Sequence, residues 1–171
     1  MPPEASRLLL VGNSSSGKST LASALAQSQG LAHLDLDTLA WQPTTPPERR
    51  PLEQSRTDID RFLSANNRWV IEGCYADLLQ LVAPASTGLL FLDLPISACL
   101  DNARKRPWEP HKYATPEAQE ANLAMLLDWI AAYAERDDVC SRTAHQVLYD
   151  GYAGFKRRIT RNTVAEDLEW Q

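Results

Sequence analysis

The 171-residue chain has no long apolar run, few cysteines and histidines, only seven glycines, and less positive than negative charge. Each shortage excludes a class of protein. The apolar stretch near the start, Leu8 to Val11, is too short for the core of a secretion signal and far too short for a membrane span, so a cytoplasmic protein without membrane contact is expected. Cys74, Cys99 and Cys140 are odd in number, far apart and without a C-x-x-C pair. They suit a reducing compartment, rule out a thiolate zinc site and read as small apolar fillers. His33, His111 and His145 stand alone, which argues against a zinc or iron centre held by the protein. Seventeen Lys and Arg against 22 Asp and Glu give a net charge of −5, so no broad nucleic-acid surface is expected. Ser14, Ser15 and Ser16 do not sit in G-x-S-x-G, which disfavours a nucleophilic hydrolase.

What remains is an ordinary globular composition, 44% apolar and 23% charged, and a length that suits one domain, monomeric or homodimeric. "RLLLV" (Arg7 to Val11) reads as a strand buried on both faces, and "KSTLASALAQSQ" as a helix closed by Gly30. "LAHLDLD" (Leu31 to Asp37) is a second strand. Four prolines between Pro43 and Pro51 make an irregular exposed segment. A helix with Ile59, Phe62 and Leu63 inward, the strand "RWVIEG", the short helix "ADLLQLV" and the strand Thr87 to Pro95 follow. "ISACLDNARKR" returns to helix. Thr115 as N-cap with Pro116 behind it starts a long helix through about Glu135. "HQVLYDG" reads as the last strand and "FKRRITRNTVAEDLEW" as helical or irregular, its Lys156, Arg157 and Arg158 mostly solvated. Repeated strand and helix predict an α/β fold, helices on both sides of a parallel sheet of about five strands.

Gly12-x-x-x-x-Gly17-Lys18-Ser19 lies between the first strand and the first helix, the context in which this spacing binds phosphate. Successive backbone N–H groups must curl around an anion, which needs φ angles and close approaches that a Cβ would forbid. The helix N-terminus adds partial positive charge. The spacing therefore assigns Gly12, Asn13, Ser14, Ser15, Ser16, Gly17, Lys18, Ser19 and Thr20 to a nucleotide triphosphate, with Lys18 on the β and γ phosphates and Ser19 on Mg²⁺. No N-K-x-D segment marks a GTPase and no L-S-G-G-Q a transport ATPase. Small nucleotide and metabolite kinases remain.

"GNSSSGKSTLASALA", "HLDLDTLAW", "WVIEGCY" and "LLFLDLP" together resemble the adenylate-kinase-like P-loop NTPase fold, a three-layer α/β/α sandwich, and within it the shikimate-kinase-like and DNA topology modulation proteins. The resemblance covers about residues 7 to 150. It implies ATP- and Mg²⁺-dependent transfer of a phosphoryl group to a small metabolite or nucleotide, or alternatively an ATPase module regulating a partner. Asp35 then belongs to the metal shell and Asp37 is the base on the acceptor hydroxyl, unless Asp37 only caps the next turn. The acceptor side spans about residues 37–68. A carboxylated acceptor would need an arginine there, and Arg56 is chosen over Arg49, Arg50 and Arg61. Glu72 beside Gly73 meets the metal or the acceptor, or forms a salt bridge at a strand end. The lid falls at about 104–115, with Arg104 or Arg106 closing on the transferred phosphoryl group, Lys105 beside them, and Trp108 and His111 in the excursion that follows. Arg136 and Arg142 are further basic candidates. Asp150 to Gly154 either passes under the adenine ring or is a plain turn, and Trp41 either walls the acceptor pocket or belongs to the core.

Overall fold

The computed structural model describes residues 6–168 and residue 170. Five strands form one sheet: β1 (Arg7–Gly12), β2 (Ala32–Asp35), β3 (Trp69–Gly73), β4 (Gly88–Leu92) and β5 (Phe155–Ile159). Every pairing is parallel and the order is β2-β3-β1-β4-β5. Parallel neighbours need crossovers, which the helices supply: α1 (Lys18–Gln29), α2 (Asp37–Ala40), α3 (Leu52–Ala65), α4 (Ala76–Val82), α5 (Ile96–Arg104), α6 (Pro116–Ala131) and α7 (Arg142–Gly151).

Alternation along β1 sends its side chains into two separate cores. Leu9 and Val11 join Ile71, Leu89 and Phe91 under α3, α4 and α7, where Ile59, Leu78, Leu79 and Leu148 are buried. Leu8 and Leu10 join Val70, Leu90 and Leu92 on the other face, against Leu21 and Leu25 of α1, Cys99 of α5 and Ile130 of α6. The result is the three-layer α/β sandwich expected from the strand and helix alternation. Because all strands run one way, their C-terminal ends, Gly12, Asp35, Gly73, Leu92 and Ile159, open on one edge.

Local signals set most of the boundaries. Gly30 closes α1 in the left-handed region at φ 66, and its N–H reaches the Ala26 carbonyl. The Thr115 side chain accepts from Ala118 N at 3.1 Å, with Pro116 behind it at the start of α6. That helix stops at Ala131, short of the expected Glu135.

Two expectations for the C-terminal part are corrected. "HQVLYDG" lies inside α7, which Ser141 caps by accepting from Ala144 N at 3.1 Å. Its buried positions, His145 and Leu148, are three apart, a helical spacing hidden by the short continuous apolar run Val147, Leu148 and Tyr149, which fits a strand as well. The fifth strand is instead the basic "FKRRI". It is an edge strand, and its charges are held by the sandwich: Lys156 donates to the carbonyls of Tyr149 and Asp150 at 2.8 and 3.2 Å, and Arg158 to Asp93. Charged side chains on an exposed edge also keep other chains from adding to it.

Candidate active site

The turn between β1 and α1 has the form its residues predict. Gly17 has φ +91 and Ser15 φ 60, both left-handed, the second a strained state for a residue with a Cβ. A Cβ on Gly12 would lie 2.6 Å from the Leu92 carbonyl oxygen and 2.8 Å from Ser16 Oγ, so only glycine fits there. Asn13 Nδ2 ties the loop to the carbonyl of Ile130 at 3.2 Å, and Lys18 Nζ folds back onto the Asn13 carbonyl at 2.7 Å. Lys18 is 9% exposed, and no carboxylate among the described residues is within ion-pair distance of it. The buried Ser16 hydroxyl has no hydrogen-bond partner among the described residues. A shielded ammonium, an unsatisfied hydroxyl and a helix N-terminus share one small turn, a donor set that fits an oxyanion.

The loop forms one wall of a cavity of about 600 Å³. Ser14 through Thr20 line it on one side and Asp37, Trp41, Glu72, Gly73, Cys74 and Tyr75 on the other, with Arg106 and Lys112 above. Lys112, which sequence reasoning passed over, lies between α5 and α6 and meets the end of β2 and the start of α2: its ammonium lies 3.2 Å from Asp37 and 4.0 Å from Asp35. Tyr75 donates its hydroxyl proton to Asp37 and accepts from Trp41 Nε1 at 2.8 Å, so three segments converge on one carboxylate. Burial acts to raise the Asp37 carboxyl, but Lys112 and the Tyr75 hydroxyl outweigh it and hold it below the usual carboxylate range.

Asp35 and Asp37 do not continue one strand. β2 ends at Asp35, whose Oδ1 accepts from Asp37 N at 2.9 Å, and Asp37 opens the short α2. Burial, then the carboxylates of Glu72 and Asp37, push Asp35 up to about 6. Glu72 is 2% exposed and meets His33 Nε2 at 3.2 Å. Among the described residues no three His, Cys, Asp or Glu side chains could by themselves hold a metal ion. Of the two oxygens expected on Mg²⁺, Ser19 lies at the start of α1 in the cavity lining and Asp35 at the end of β2 just outside it.

Of the two lid arginines expected to approach the phosphates, Arg106 faces the cavity and donates to Ser15 Oγ, with Glu109 3.5 Å away. Arg104 is exposed, pairs with Asp101 at 3.4 Å and lies outside the cavity lining. Arg56 is also exposed and outside it. The other acceptor-side arginines are taken: Arg49 grips Asp77 at 3.0 and 3.2 Å, and Arg50 and Arg61 share Asp58 at 2.8 and 3.1 Å. Arg142 and Arg158 both pair with Asp93. Burial acts to raise that carboxyl, but the two guanidiniums hold it low.

Of the two readings of Asp150 to Gly154, the plain turn holds, joining the end of α7 to β5. It leads into β5 and therefore sits at the opposite edge of the sheet, whereas Asn162, Thr163 and Val164, just past β5, line the cavity. Asn162 and Asn102 exchange side-chain hydrogen bonds at 2.8 and 3.2 Å, and Asn102 also donates to the Ser15 carbonyl at 2.9 Å, which ties that loop to the phosphate turn. Missing the strand "FKRRI" hid it.

The cysteines are also not all solitary fillers. Cys99 is a buried residue of α5, but Cys74 and Cys140 bring their sulfurs within 3.5 Å of each other although they lie 66 residues apart. Trp41 is 39% exposed at the cavity. No helix among the described residues is long and apolar enough to cross a membrane.

No known family matches the chain, and no curated protein is significantly similar to it. Among solved structures it is similar to an unliganded sugar kinase from Janibacter sp. HTCC2649, 17% identical over 88% of this chain and 83% of that one, with a TM-score of 0.47. So remote a likeness identifies no substrate for this chain.

Proposed function

We propose that the protein is a P-loop kinase that moves the γ-phosphoryl group of ATP, with Mg²⁺, to a hydroxyl of a small acceptor carrying no carboxylate or phosphate. One observation supports the reading: a single cavity is lined by a glycine-bounded turn whose buried ammonium has no carboxylate partner among the described residues, and also by a hydrogen-bonded carboxylate, Asp37.

The two halves of the cavity differ in charge. Lys18, Lys105 and Arg106 line the half with the glycine-bounded turn, while Asp37 and Glu72 line the acceptor half, where Lys112 pairs with Asp37 at 3.2 Å and lies 4.0 Å from Asp35, a carboxylate just outside the lining. An anionic acceptor would meet the carboxylates of Asp37 and Glu72 and no spare guanidinium on that side, since Arg49, Arg50 and Arg61 already have partners and Arg56 lies outside the lining. A neutral or amino-bearing hydroxyl compound meets acceptors for its donors and the exposed face of Trp41.

In the reaction the acceptor oxygen bonds to the γ-phosphorus, the bond from that phosphorus to the β,γ-bridging oxygen breaks, and ADP leaves. Lys18 and the turn's amides hold the phosphates, and Asp37 takes the hydroxyl proton at the carboxylate oxygen turned to the cavity. Arg106 shields the charge of the transferred group, and the lid excludes water. Bound through Ser19 and Asp35, Mg²⁺ would neutralise charge on the β and γ phosphate oxygens. The work is positioning and charge stabilisation.

The test is an ADP-release screen over polyols, amino sugars, nucleosides, nucleoside monophosphates, gluconate and shikimate, with Lys18→Met as blank. Release driven by a neutral or amino-bearing member supports the reading. Slow ATP hydrolysis that no member accelerates would mean instead an ATPase or regulatory module.

A further inference from the structure

We propose that Cys74 and Cys140 form an oxidation site, in which a peroxide entering the cavity reacts with Cys74 and the resulting intermediate closes a disulfide with Cys140. The two thiols come from segments the fold clamps together. Cys74 follows the last residue of β3, and Cys140 precedes the cap of α7. Between the segments, Ala76 N donates to the Val139 carbonyl at 3.0 Å and His145 Nε2 to the Cys74 carbonyl at 2.6 Å. Cys140 is held by its own N–H to Asp138 Oδ1 at 2.8 Å and by Arg136, which donates to its carbonyl at 3.1 Å. The sulfurs at 3.5 Å need to approach by about 1.5 Å to reach the ~2.05 Å of a disulfide.

Access separates the roles of the two. Cys74 is half-buried and lines the cavity, so a water-sized oxidant reaches it, whereas Cys140 is 5% exposed behind it and is the resolving thiol. Cys99 packs on the opposite face of the sheet and cannot compete for either. The Cys74 sulfur attacks one peroxide oxygen, the O–O bond breaks, and sulfenic acid and one water (or alcohol) form. The Cys140 sulfur then attacks Cys74 Sγ and expels the hydroxyl as a second water. Two thiols lose two electrons and two protons, and the peroxide is reduced.

The consequence falls on the acceptor half. The residue after Cys74 is Tyr75, which holds Asp37 and Trp41, so the bridge ties the floor under these contacts to the connection between α6 and α7.

The experiment treats the folded full chain with one equivalent of hydrogen peroxide, caps remaining thiols with iodoacetamide and maps peptides by mass spectrometry. A linked Cys74–Cys140 peptide pair with Cys99 capped is expected, along with a trapped sulfenic acid on Cys74 in the Cys140→Ser variant when dimedone is present. Circular dichroism of the oxidised chain must match that of the reduced one. Free Cys74 and Cys140 after treatment, a link through Cys99, or a link seen only in unfolded protein would each overturn the proposal. None of these readouts depends on kinase activity, so a failed acceptor screen leaves the test intact.

Discussion

Replacing Lys18 with Met should move two measurements in opposite senses. The substitution keeps most of the stem that fills the turn and removes an ammonium that is 9% exposed, bonded to the Asn13 carbonyl at 2.7 Å and without a carboxylate partner among the described residues. A shielded, unpaired charge works against the unliganded fold, and the single bond to Asn13 offsets only part of that. The variant without ligand should therefore melt no lower than the parent. With ATP the sign reverses. A charge-assisted contact to phosphate contributes roughly 1.5–3 kcal/mol, or about 10- to 100-fold in affinity. At ATP one hundred times the parent's Kd, binding stabilises the parent by about 2.7 kcal/mol and the variant by about 0.4–1.4 kcal/mol. For a domain of this size the ATP-induced rise in melting temperature should fall from about 5–11 °C to about 1–6 °C. Differential scanning fluorimetry with Mg²⁺ and ATP reads both numbers. A variant that keeps the full ATP-induced shift would refute the assignment of the turn.

Asp37→Asn should lower kcat by about 10²–10⁴ while leaving the ATP-induced thermal shift in place, since it removes the proton acceptor and keeps the phosphate turn. Without Mg²⁺, Asp35→Asn should be more stable than the parent above pH 6. The folded carboxyl sits at about 6 against 3.8 unfolded, so its ionised form works against the fold by up to roughly 3 kcal/mol, and the difference should vanish near pH 4. His145 has the opposite sign. Burial, opposed by the Cys74 carbonyl, lowers it to about 4, so the unfolded chain takes up the proton first and stability falls as pH drops from 6.5 toward 4. Its neutral ring donates from Nε2 to Cys74 and accepts from Tyr133 at Nδ1, 2.7 Å away, so His145→Gln should flatten urea melts across that window. The oxidised chain should resist urea better than the reduced one, by at most about 4 kcal/mol for a loop of 66 residues, and an unchanged midpoint would mean that the bridge strains the fold.

The turn between β1 and α1 was legible because its determinants are consecutive. Glycine at 12 and 17, lysine at 18 and a helix-forming run behind them set conformation and charge within a few residues. The caps Gly30 and Thr115 were legible for the same reason. Boundaries failed where a local pattern fitted two periods. "HQVLYDG" carries the consecutive apolar residues Val147, Leu148 and Tyr149, which suit a short strand or a helix, and only packing of His145 and Leu148 under the sheet makes it a helix. "FKRRI" looked like a solvated charge run because its partners, Asp93, Tyr149 and Asp150, belong to other elements.

By itself, then, the order of residues determined that a glycine-bounded turn joins a buried strand to a helix in an α/β sandwich, since those features depend on neighbours along the chain. Which side chains face that turn was decided by the tertiary structure. Parallel strands in the order β2-β3-β1-β4-β5 open all their C-terminal ends on one edge, so Lys112 reaches Asp37 across 75 residues and Cys74 meets Cys140 across 66. The same geometry turns Arg56 and Arg104 away, because a charge on the outer face of a helix finds solvent more cheaply than a crowded cavity.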